Sequence, residues 1–80
     1  MSGHFPPLTC AEVKRILRTL GFEPRKGGSG SHEQWVKDEG GRRYKVTVDC
    51  PKAPFSPTLI ASMARQAGVS KTAFYAARER

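Results

Sequence analysis

Two periods order the apolar positions of this chain. Val13, Ile16, Leu17 and Leu20 recur at i, i+3, i+4 and i+7, the stripe of a helix with one buried face, while Lys14, Arg15 and Arg18 fall outside it. Thr9-Cys10-Ala11-Glu12 has the form of a capping box, in which the threonine hydroxyl and the glutamate carboxylate satisfy free amides at a helix start. Gly21 offers the left-handed residue that ends such a helix, so one is expected over about 10–20. From Arg42 to Asp49 the period shortens to two. Tyr44, Val46 and Val48 alternate with Arg43, Lys45 and Thr47, which predicts a strand with one wet face. Ser31 to Lys37 reads as its hairpin partner, with Asp38-Glu39-Gly40-Gly41 as the break. Trp35 joins the Tyr44, Val46 and Val48 face. By parity Ser31 and Glu33 share that side, and His32 and Gln34 point the other way.

The rest of the chain is punctuated by proline and glycine. Residues 1–8, with Pro6-Pro7, read as an extended arm, and Phe22 to Lys26 as a short strand that Pro24 confines to an edge. Cys50 to Phe55 is a proline-rich loop. Ser56-Pro57 then supplies an N-cap and a preset first turn for a helix whose apolar face is Leu59, Ile60, Met63, Ala64 and Ala67. Gly68-Val69-Ser70 ends it and caps a third helix over about 71–78, with Phe74 and Ala77 inward. The order α-β-β-β-α-α predicts a single α+β domain over residues 1–80, a two-layer sandwich whose helices cover one sheet face and leave the other open.

Composition sharpens this picture. Eighty residues exclude a Rossmann unit with a separate substrate domain, a barrel or a deep cofactor cavity, and no cofactor is expected. Fewer than one residue in five is Leu, Ile, Val or Phe, so the core is small. Fourteen Lys and Arg against seven Asp and Glu leave a formal charge of +7, enough to concentrate polyanions, and Arg25/Lys26 and Arg42/Arg43/Lys45 flank one hairpin. No apolar run reaches the length of a membrane span, and MSGHFPPLT lacks the apolar stretch of a secretory signal, so a cytoplasmic location is expected. Cys10 and Cys50 are not in a CxxC pair and have no histidine at ligand spacing. They read as small, half-buried thiols, with a disulfide open only if the fold brings them together.

The inventory of chemical groups is thin. No carboxylate pair or cluster at metal-ligand spacing occurs, so no metal site is expected, and Gly27-Gly28-Ser29-Gly30 lacks the Lys-Ser/Thr ending of a nucleotide phosphate loop. That turn still allows close approach of a backbone. Arg25 and Lys26 precede it and Ser31-His32 follow, a setting suited to a phosphodiester. The expected nucleic-acid contacts are therefore Arg25, Lys26, Gly28, Gly30, Ser31 and Lys45, with His32 beside them; His4, in the arm, is assigned no role.

GSGSHEQWVK, preceded by LRTLGFEPRKG and followed by RRYKVTV, resembles the HicA toxin family of mRNA interferases. The likeness continues through SPTLIASMARQAGVSKTAFY and covers about residues 8–76; Gly30-Ser31-His32 with Trp35 three positions on is its most specific part. The resemblance implies a double-stranded-RNA-binding-domain-like fold, a HicB-type antitoxin partner and a catalytic histidine at His32. It further implies metal-independent cleavage of mRNA through the ribose 2′-hydroxyl, for which an imidazole titrating near neutrality is a suitable base. Many members carry a second histidine in a Val-Pro-x-His segment after the third strand. Here the chain has Val48-Asp49-Cys50-Pro51, so the scheme implied is a single-histidine one. Two other readings use the same residues: a non-catalytic RNA-binding module on the basic face, and a helix-turn-helix DNA-binding regulator formed by residues 57–78, with Ser70 capping a helix that bears Lys71 and Thr72.

Overall fold

In a computed structural model, which describes residues 5–25 and 32–79, the chain runs helix, three strands, helix, helix. The elements are α1 (Cys10–Thr19), β1 (Glu23–Pro24), β2 (His32–Glu39), β3 (Arg42–Asp49), α2 (Pro57–Ala67) and α3 (Lys71–Ala76), with 3₁₀ turns at Cys50–Lys52 and Ala77–Glu79. The expected α+β layout is present, and it matches that of a double-stranded-RNA-binding-domain-like fold.

Local chemistry sets the boundaries. Thr9 and Glu12 close the capping box, with the Glu12 amide donating to Thr9 Oγ1 (3.1 Å) and the Thr9 amide donating to Glu12 Oε1 (2.9 Å). At the other end the amide of Gly21, at φ +96°, donates to the Arg18 carbonyl and that of Phe22 to the Leu17 carbonyl, a Schellman closure that turns the chain into the sheet. α2 ends the same way at Gly68. Ser56 and Ser70 cap α2 and α3 through the amides of Leu59 and Ala73.

The sheet has the order β1-β2-β3, antiparallel throughout. β2 runs two residues beyond its expected end. Glu39 pairs with Arg42 around a two-residue turn in which Gly40 and Gly41 hold φ of +59° and +77°, the geometry that keeps the right-handed twist of both strands, so Asp38 and Glu39 stay in the ladder. β1 is the two-residue edge strand Glu23–Pro24, and beyond Pro24, which has no amide to donate, the Arg25 amide still donates to the Gln34 carbonyl.

Trp35 lies opposite Val46, and both are buried with Val48 beneath the helices. Val13, Ile16 and Leu17 of α1, Ile60, Met63, Ala64 and Ala67 of α2, and Phe74, Tyr75 and Ala77 close the core. Leu8 is fully buried as well. It bridges Phe55 through reciprocal backbone hydrogen bonds of 3.1 and 2.7 Å, so the described part of the arm is tied to the loop before α2. Tyr75 donates from its hydroxyl to the Pro6 carbonyl (2.8 Å), and burial pushes its phenol pKa up.

One sequence expectation is corrected. Cys10 and Cys50 are not separate thiols but a disulfide, their Cα atoms 5.3 Å apart. The start of α1 and the end of β3 meet there, a closeness that no local pattern encodes.

Candidate active site

The open face of the sheet is built by parity. In β2 it carries His32, Gln34, Val36 and Asp38, and in β3 Arg43, Lys45, Thr47 and Asp49, each pair directly opposite across the ladder. Asp38 and Arg43 form a two-point ion pair (3.0 and 3.2 Å), which holds the aspartate below the usual carboxylate range and raises the arginine. Arg43 is thereby occupied. Lys45 makes no ion pair among the described residues and projects beside Val36.

His32 opens β2 with its side chain 62% exposed, and Asp49 ends β3 opposite it. The imidazole Nδ1 stands 3.8 Å from Asp49 Oδ2, too long for a direct hydrogen bond and within reach of an ion pair once the ring is protonated. The neighbouring residue anchors this end of the strand. Glu33, on the helix side, accepts from Lys14 Nζ of α1 (3.1 Å) and from Trp35 Nε1 (3.0 Å), and the lysine bond, then the indole bond, hold its carboxyl below the usual range. Arg18 lies over the Trp35 ring at 5.1 Å. A clamped Glu33 on one face aims His32 at the other.

α2 packs beside the outer edge of β3, where Gln66 Oε1 accepts the otherwise unpaired Thr47 amide (3.4 Å). Between this helix and the sheet lies a depression of about 240 Å³. His32, Thr47, Asp49 and Lys52 form its polar side, and Phe55, Leu59, Ser62, Met63 and Gln66 its helical side. Leu59 is the exposed large apolar side chain among the described residues, at 39%.

Of the residues expected from sequence, His32 stands at the rim of this depression. Arg25 flanks it on the other side, exposed, with its amide donating to the Gln34 carbonyl (2.7 Å). Lys45 lies four residues back along β3 from Asp49, roughly 13 Å away at the strand rise. Lys26, Gly28, Gly30 and Ser31 lie outside the described residues, as does His4. Asp49, Lys52 and Gln66 were not picked out by sequence reasoning. Only the strand parity of Asp49 with His32 carried a signal, and that needed the hairpin register.

No group of three or more His, Cys, Asp or Glu with metal-site geometry occurs among the described residues. None of the described helices is long and apolar enough to cross a membrane.

A three-stranded antiparallel sheet covered by helices on one side and open on the other, with an exposed histidine at the start of its central strand, has the layout of the compact domains with a double-stranded-RNA-binding-domain-like fold. The chain belongs to the HicA toxin family: the family model described as "HicA toxin of bacterial toxin-antitoxin" matches residues 10–69, from the first helical residue through the end of α2. It is thus the toxin side of a toxin-antitoxin pair. No curated protein and no solved structure matches it.

Proposed function

We propose that the protein is an endoribonuclease toxin, an mRNA interferase, that cleaves RNA with His32 as its base and is neutralised by a HicB-type antitoxin. The observation that carries this reading is the exposed imidazole on the open face of the sheet, with Asp49 across the ladder and Lys52 on the same rim. RNA lies along this face. Arg25, Lys26, Lys45 and the backbone of the glycine turn at Gly28 and Gly30 hold phosphates, and Ser31 orients the phosphate beside His32.

The reaction is carried by protein groups and water. The His32 imidazole takes the proton of a ribose 2′-hydroxyl, the resulting oxygen attacks the adjacent phosphorus, and the bond to O5′ breaks. Solvent supplies the proton to the departing O5′, leaving a 2′,3′-cyclic phosphate and a 5′-hydroxyl. Lys52 offsets the charge that builds on the phosphorane oxygens. Asp49 Oδ2, 3.8 Å from Nδ1, pairs with the imidazolium once the ring has taken the proton and so steadies it.

The helix-turn-helix reading has less support. α3 spans only six residues, buries both Phe74 and Tyr75, and has Lys71 drawn over the Phe5 ring at 4.3 Å, leaving Thr72, Ala73 and Ala76 as its outer face. A simple binding module is separated by activity. Wild type and His32→Ala incubated in EDTA with a defined RNA and its DNA counterpart should show cleavage of RNA alone, with cyclic phosphate ends. The variant should lose about 100-fold or more in rate while still binding. Equal cutting of DNA, or an unaffected variant, would sink the reading.

A further inference from the structure

We propose that the hollow between α2 and the edge of β3 seats one unpaired nucleobase of the RNA, next to the phosphate on which His32 acts. The inference rests on the RNA-cleaving reading of His32 and names the part of the substrate that the same site recognises.

The two sides of the hollow differ in the way a base requires. Leu59 and Met63 of α2, with Phe55 below, form an apolar wall against which a flat heterocycle packs, and 39% of Leu59 stays exposed beside Lys52 and His32. Single-stranded RNA is read in this manner, by packing the face of a splayed base and hydrogen-bonding its edge. The edge contact is Gln66. Its Oε1 is taken by the Thr47 amide at 3.4 Å, while its amide nitrogen, with two hydrogens to donate, has no partner among the described residues. A donor at this point calls for an acceptor, a carbonyl oxygen or ring nitrogen, on the edge of a base.

The adjoining charges fit the backbone of the same nucleotide. Lys52 and His32 line the sheet side of the hollow, so a nucleotide whose base lies against Leu59 has its sugar-phosphate directed at the imidazole. A paired base has its edge engaged with its complement and cannot enter. Cleavage is therefore directed to single-stranded segments, with α2 deciding which base precedes or follows the cut.

The test uses methyl-labelled full-length protein and NMR titration with the four nucleoside 5′-monophosphates and with ribose 5-phosphate, paired with cleavage of a random-sequence RNA pool. The nucleotides should shift the methyl signals of Leu59 and Met63, and ribose 5-phosphate should leave them in place. Leu59→Ser should weaken nucleotide binding about fivefold without changing ribose 5-phosphate binding. Gln66→Ala should flatten the base preference beside the cut about tenfold. Base-dependent shifts in a protein that cuts no RNA would uphold the pocket and remove the nuclease reading. Methyl signals unmoved by every nucleotide, or a cleavage preference unchanged in both variants, would overturn the pocket and leave that wall to a protein partner.

Discussion

Individual side chains decide how rigidly the candidate catalyst is held. His32 is exposed; the bonds of Glu33 to Lys14 and Trp35 fix the strand that carries it, and Asp49 faces its ring across the ladder. Asp49→Asn keeps the shape and removes the charge. It is expected to lower kcat on RNA between about 10- and 100-fold with KM and melting temperature unchanged, since the imidazolium formed during the reaction loses its counter-charge while RNA binding makes no use of it. Steady-state kinetics beside a thermal melt checks this. Glu33 makes a different prediction. Its folded-state pKa is lowered by the Lys14 and Trp35 hydrogen bonds, so below its ordinary value the unfolded chain takes up the proton first. The stabilisation is complete above the unfolded-state pKa, around 4.5, and is lost as pH falls through the lower folded value. Melts of wild type and Glu33→Gln should differ at pH 6 and converge toward pH 3; a constant gap would contradict the assignment.

At the scale of elements, the turns carry as much information as the helices. Gly68 closes α2 at φ +80°, where a side chain is strained, and an added Cβ would stand 2.6 Å from Tyr44 Cε1. Gly68→Ala is expected to cost about 1–3 kcal/mol, read by urea unfolding. The same change at Gly40, equally left-handed but with nothing within 4 Å, meets only the backbone cost. Close approach of α2 to β3 thus depends on a residue without a side chain. This packing brings Leu59, Met63 and Gln66 beside His32, so the glycine shapes the candidate site from a distance.

Across the whole molecule, the small core is tied at its seams. Cys10 and Cys50 join α1 to the end of β3 across a sequence separation of 40. A bridge closing so long a loop contributes about 2–4 kcal/mol, so reduction should lower the melting temperature by more than about 8 °C in a domain of this size. A scan with and without dithiothreitol measures it, and Cys10→Ser/Cys50→Ser should melt like the reduced protein. Leu8 and Tyr75 bind the described arm to the body in the same sense, through Phe55 and the Pro6 carbonyl.

Local order is written in the residues themselves. The capping box, the glycine stops and the two apolar periods act over a few positions, so α1, β3 and α2 and the outward side of His32 are legible from the amino-acid sequence alone. The strand limits are less so, because whether Asp38 and Glu39 remain in a ladder depends on the turn and on a partner across it. The company His32 keeps comes from the assembled fold. Asp49 reaches it through hairpin register, Lys52 through the turn after β3, and Leu59 and Gln66 through the docking of α2 on a strand edge. The joining of Cys10 to Cys50 and the burial of Leu8 have the same origin. Such contacts are set by how the apolar faces of distant segments fit into one core, a property of the whole chain that no short window of residues contains.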